Sequence, residues 1–284
     1  MTAPRFAPLA WAGIRLGWKR KLPLLLLYTL PVGWMLFFSA QIFMLYGAEQ
    51  GMSEIGGPMM RAMITAKRIF KITLDVKFLI STFFLYSRLF AVLLIAWFGC
   101  GLLCEDRRAG AHVLYFSRPL TRLDYVLGRW CTVFFYGALG VIVPGMFIVG
   151  SAAWMSPDWQ FVRDEGEAVW GTLAFGFLTV AFYSTLSLAV SAVASKKSFA
   201  MMAMFALVLL PHALSRILAR LLGERAWRVL SPLTSLGKVG NHFLDVRQQF
   251  YQWPTWWSAA SLCAIMLVCC CVIAVRIRRW EVVA

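Results

Sequence analysis

Long apolar runs separated by polar stretches make up most of this chain. The runs lie at about residues 22–46, 78–104, 123–155, 168–194, 199–221 and 256–275. A helix needs about 20 apolar residues to cross the hydrocarbon core of a bilayer, so each run reads as one transmembrane helix. Pro23 opens the first, where a missing N–H costs little. Pro31 and Pro144-Gly145 fall inside runs and predict kinks. In residues 1–21, Phe6, Leu9, Ala10, Ile14, Gly17 and Trp18 recur at helical spacing, with Arg5, Arg15 and Lys19 on the other face. That pattern predicts an amphipathic helix in the membrane interface, either a basic anchor or something more.

The expected fold class is an all-α integral membrane protein. It has six transmembrane helices, an N-terminal amphipathic interfacial helix and both termini cytoplasmic, in one domain spanning residues 1–284. Residues 105–122 form a cytoplasmic loop, and residues 222–255 an external segment, rich in Trp and Tyr toward its end, that is able to dip back into the outer leaflet. Residues 47–77 also lie outside. Their Arg61, Lys67, Arg68 and Lys71 predict an amphipathic helix whose cations meet either lipid phosphates or an anionic substrate.

Composition supports this reading. The chain is 61% hydrophobic and only 14% charged, more apolar than a soluble domain requires. A net charge of +15 raises nucleic-acid binding for a soluble protein. Here the positive-inside rule is the better account: fifteen of the 28 Lys and Arg fall in predicted cytoplasmic segments, many in short loops beside helix ends. No nucleic-acid partner is expected; the bilayer itself is the surrounding surface. The first run is too long for a signal-peptide core, so it reads as a retained helix. The seven cysteines lie in or at the ends of apolar runs, without metal-ligand spacing, and read as packing residues. Acylation at Cys269–Cys271 is a weaker alternative.

Little catalytic chemistry is visible. The chain has no P-loop, HExxH or GxSxG pattern. His112, His212 and His242 fall inside, in the membrane and outside, so they cannot share a metal. No catalytic or metal-binding residues are expected. Arg88 sits within the second run, where an ionisable residue is a functional candidate, or else snorkels to the outer face. His212 follows Pro211 and is either a pathway group or bonded to a backbone carbonyl that the proline frees. Ser187, with Ser184, Thr185 and Ser191, either lines a path or packs helices closely. Arg88, Ser187 and His212 are the candidate pathway residues.

The charged stretch Glu105–Arg129 ends one strongly apolar run and launches the next, and it is longer than a turn needs. Glu105, Asp106, Arg107 and Arg108 extend the second helix into water, where their charges are free to pair across an interface. Gly110 permits a bend. Val113, Leu114, Tyr115 and Phe116 form an apolar patch suited to a partner's pocket. Arg118, Pro119 and Arg122 follow, and Thr121 with Asp124 predicts a capping box that restarts the third helix.

On these residues the chain resembles the permeases of the ABC-2 family, the membrane subunits of ATP-binding-cassette transporters. The resemblance rests on Gly99-Cys100-Gly101-Leu102-Leu103, Glu105–Arg108, Tyr115–Arg122, Asp124-Tyr125 and Gly128-Arg129, and on the closing Arg276–Val283. It implies that Glu105, Asp106, Arg107, Arg108, Val113, Leu114, Tyr115, Phe116, Arg118 and Arg122 engage a cytoplasmic ATPase subunit. It also implies a second permease copy, and for some relatives an extracytoplasmic accessory protein. The chain binds no cofactor; ATP and magnesium belong to the partner subunit, so the chain is not an enzyme by itself. The implied location is the inner membrane of a bacterium, and the implied task is export or translocation. A stand-alone channel or secondary transporter, or a polytopic membrane enzyme, is the alternative.

Overall fold

In a computed structural model, the structure describes residues 6–19, 21–49, 76–111, 121–156, 160–246 and 253–281. The expected basic helix at 59–75 and the patch Val113–Phe116 with Arg118 lie outside the described residues. Among those described there is no strand. The helices are α1 (Ala7–Trp18), α2 (Lys21–Glu49), α3 (Val76–Gly99), α4 (Leu102–Arg108), α5 (Arg122–Met155), α6 (Gln160–Asp164), α7 (Gly166–Val193), α8 (Lys197–Leu221), α9 (Pro232–Phe243) and α10 (Thr255–Glu281), with a 3-10 helix at Arg225–Leu230.

Among the described residues, five helices are long and apolar enough to cross a membrane: α3 with α4, α5, α7, α8 and α10. In α2 the apolar stretch Tyr28–Phe43 is shorter. Both α2 and α5 run on past Pro31 and Pro144 without interruption.

Burial ranks the helices. In α7, 72% of the apolar window is buried inside the protein, against 22% for α8 and for α10. α7 is therefore the core helix, and α8 and α10 lie on the perimeter. Lipid tails are as apolar as leucine, so helices in a membrane associate through close packing and hydrogen bonds. Phe84 of α3 stacks on Phe175 of α7 with centroids 4.4 Å apart. Trp130 Nε1 of α5 donates to Thr185 Oγ1 of α7 at 3.1 Å.

The segment after α8 doubles back. Gly223, with φ +71, stops the helix in a conformation that L side chains avoid. Ser231 then lies beside His212, 2.9 Å from ring to hydroxyl. That is about 14 Å back along α8 at 1.5 Å per residue. From there α9 leads away again against α7, α10 and α3. Gly240 covers the Phe175 ring, leaving no room for a Cβ, and Ser81 Oγ donates to Asn241 Oδ1 at 2.6 Å.

Candidate functional site

The described parts of the 105–129 stretch converge on one end of the bundle. α3 stops at Gly99, where an added Cβ would lie 2.4 Å from Ser187 Oγ. After a two-residue turn α4 begins with Gly101 at its N-cap, which has no side chain to cap the first amides. The cap comes from another helix: Ser191 Oγ of α7 accepts from Leu103 N at 3.1 Å and Cys104 N at 3.2 Å. Two of the orphan donors that every helix start leaves are thereby satisfied across the interface. At the other end of α4, Gly110 adopts φ +66, the left-handed closure that commonly ends a helix.

Four consecutive charges divide by direction. Glu105 and Arg108 are exposed, whereas Asp106 and Arg107 turn inward. Asp106 forms an ion pair with Arg129 and accepts from Tyr125 Oη at 2.7 Å. The two charged side chains are 15% and 6% exposed. Arg107 Nη2 donates to Ala194 O at 2.7 Å, and its Nη1 lies 3.5 Å from Ala192 O. A cation on the last carbonyls of α7 meets the negative end of that helix dipole. Asp106 and Arg107 therefore do not offer free charge to a partner, as their place in a polar stretch had suggested. They clasp α4 to α5 and α7.

α5 restarts as expected. Thr121 Oγ1 accepts from Asp124 N at 3.2 Å, and Asp124 Oδ2 accepts from Thr121 N at 3.1 Å, a complete capping box. Arg122 is exposed in the first turn.

A family model described as "ABC-2 family transporter protein" matches residues 23–281. The chain belongs to the ABC-2 family. Among curated proteins none matches it. Membership makes this a multi-pass membrane protein, the permease of an ABC-type transporter, and implies association with a cytoplasmic ATP-binding subunit.

In this permease α1 also rests on α5. Its buried face is Leu9, Ala10 and Gly13; of the expected apolar stripe only Leu9 and Ala10 are buried, while Phe6, Ile14 and Gly17 are half-buried and Trp18 is exposed. That face meets protein rather than the membrane interface. Added Cβ atoms at Gly13 and Gly17 would lie 2.6 Å from Thr132 Oγ1 and 2.2 Å from Tyr136 Oη. Tyr136 Oη donates to Ile14 O at 2.5 Å. The exposed face carries Trp11, Leu16 and Trp18 beside Arg15 and Lys19.

The three candidate pathway residues are not brought together. Ser187 is fully buried against Gly99, and its hydroxyl donates to Ser184 O at 2.9 Å; it packs helices rather than lining a path. Arg88 lies about 16 Å along α3 from that point, at 1.5 Å per residue. It is 4% exposed, so it does not snorkel to the surface. Its Nε donates to Phe84 O at 3.2 Å and its Nη1 to Leu233 O. His212 bonds Ser231, the N-cap of α9, and not a carbonyl freed by Pro211. Arg88 and His212 thus grip residues two apart in one returning segment. Sequence reasoning missed that role for Arg88 and the clasping roles of Arg129 and Tyr125, whereas it had placed Ser191 among the hydroxyl residues that pack helices together. Arg129 offered one signal, a charge seven residues inside a helix that begins at the capping box.

The cysteines are all free. Cys269 is buried and Cys270 and Cys271 exposed, as side chains of one helix. Among the described residues no group of three His, Cys, Asp or Glu could hold a metal ion.

Proposed function

We propose that this permease converts ATP-driven movement of a cytoplasmic ATPase subunit into export or translocation of a substrate, through the connector at 105–122. The observation that carries this reading is the clasp at its base. Asp106, Arg129 and Tyr125 join α4 to α5, while Arg107 and Ser191 join α4 to α7. A push on the connector therefore cannot be absorbed by bending α4 alone. It moves the start of α5, the end of α7 and, through Tyr136 and Thr132, α1. The exposed Glu105, Arg108 and Arg122 are the charges offered to the partner, with Val113–Phe116 and Arg118 as its anchor and rim.

In this reading α2 makes a sixth crossing, both termini face the cytoplasm, and the membrane is a bacterial inner membrane. Two copies of the permease pair, each with one ATPase subunit that carries ATP and magnesium. Closure of the ATPase pair drives the two connectors and changes access to a path between the permeases. The returning segment 222–243 re-enters the outer leaflet, where its backbone is satisfied by protein: Leu233 O by Arg88, Val229 O by Ser235 and Ser261.

The test is charge reversal at the exposed positions. Glu105→Lys with Arg108→Glu, or Tyr115→Ala with Phe116→Ala, is expected to leave the permease folded and inserted. ATPase activity of the assembled complex should no longer respond to the permease, and substrate movement should stop. A complex that assembles and retains its normal ATPase response in both variants would rule the connector out. A tagged permease that never retains an ATPase when extracted with its neighbouring gene products would favour a stand-alone channel or carrier.

A further inference from the structure

The perimeter helices α8 and α10 both pack on α7 but leave a trough between them of about 630 Å³. Its walls include Ala189 and Val193 of α7, Phe199 and Ala203 of α8, and Ala264 and Val272 of α10. On each helix the lining spans eight residue steps: Leu186–Ala194, Phe199–Leu207 and Ala264–Val272. Eight steps of 1.5 Å make the trough about 12 Å long. One leaflet of a bilayer core of about 30 Å is about 15 Å deep. The trough is therefore one leaflet deep.

One end carries positive charge. Ala194 and Phe199 are joined by the turn that contains Lys196, and Lys196 precedes Phe199 by one turn of register. On α10, Val272 is followed one turn later by Arg276. Ser261 of α10 bonds Val229 O near His212, which sets that part of α10 at the far end and Arg276 at the end of Lys196. Lys196 is exposed and Arg276 half-buried. Lys197, in contrast, turns toward α3, with its Nζ 4.6 Å from the Trp97 ring centroid, so it is not part of this rim.

We propose that this trough is a binding site for one anionic phospholipid of the leaflet at the connector end. One acyl chain fills the apolar groove, and the phosphate rests between Lys196 and Arg276. The apolar lining suits an acyl chain, and the basic rim at one end suits the phosphate it carries. The charge favours an anionic headgroup over a zwitterionic one. The site stands on membrane insertion alone and does not depend on how the ATPase is coupled.

The experiment uses the full chain, purified in mild detergent, stripped of lipid and titrated with dioleoylphosphatidylglycerol or dioleoylphosphatidylcholine. Native mass spectrometry reads the lipid retained. The wild type is expected to keep one phosphatidylglycerol in clear preference to phosphatidylcholine. Each basic residue near a membrane surface contributes a factor of about five toward acidic lipid, so Lys196→Gln with Arg276→Gln should cut that preference by about 25-fold. Ala203→Trp, which fills the groove, should lower retention of both lipids. Ala264→Trp on the facing wall gives the same reading should the first fail to fold, and the surface pair decides by itself should both fail. Equal retention of the two lipids by the wild type would overturn the proposal. So would an unchanged preference in the Lys196/Arg276 variant, or a tryptophan variant that keeps its lipid but changes its oligomeric mass.

Discussion

At the scale of residues, the connector's charges are of two kinds. Removing one partner of a buried ion pair leaves the other charge uncompensated, which costs about 3–5 kcal/mol. Asp106→Ala removes the ion pair of Arg129, which is 6% exposed, so a loss of about 3 kcal/mol is expected. Exposed Glu105→Ala should stay within about 0.5 kcal/mol. Thermal unfolding of the two variants in detergent checks the contrast. Ser191→Ala belongs with the first kind, because it unsatisfies the Leu103 and Cys104 amides at about 1–3 kcal/mol. This division was not legible in the run Glu105-Asp106-Arg107-Arg108. Which of four adjacent charges points inward depends on how α4 is rotated after the turn at Cys100–Gly101, and that rotation is set by α7.

At the scale of elements, two segments are positioned by contacts of defined chemistry. α1 lies on α5 because Gly13 and Gly17 admit Thr132 and Tyr136. Gly13→Leu with Gly17→Leu should lift α1 from α5, and faster tryptic cleavage at Arg15 and Lys19 in otherwise intact protein would report it. The returning segment is gripped by Arg88 and His212. Arg88→Lys keeps the charge but loses the fork that reaches two carbonyls. Amide hydrogen exchange across Pro232–Phe243 should rise in that variant, while α7 stays protected. Unchanged exchange would mean that the apolar packing of α9 holds the segment without Arg88. Helical spacing in residues 1–21 placed Leu9 and Ala10 on the buried face of α1 but not Gly13, and it put the exposed Trp18 on that face. It left open what covers that face, because a lipid surface and a helix flank select the same small and apolar side chains.

At the scale of the whole molecule, α7 is the axis on which α3, α5, α8, α9 and α10 pack, and α8 and α10 present most of their surface to lipid or to another chain. Six crossings require both termini on one face. Reporter fusions at Met1 and Ala284 should both read as cytoplasmic, and a fusion within 156–160 as external. Opposite readings at the two ends would leave five crossings. Apolar content and run length determined by themselves that this is a helical membrane protein; the apolar runs fall on its long helices, although α3 stops at Gly99 and α10 continues to Glu281. Every crossing helix must satisfy its own backbone and be about 20 apolar residues long, whatever its neighbours. The motif around Glu105–Arg129 likewise carried the family. Only the tertiary structure decided which polar residues face a partner and which hold helices together. Ser187, Asp106, Arg107 and Arg88 have the composition of functional groups, yet each is bonded or packed inside the bundle. In a low-dielectric interior a polar side chain needs a partner; Ser187 finds one a turn back on its own helix, whereas Asp106, Arg107 and Arg88 each also bond a group on another segment of the chain.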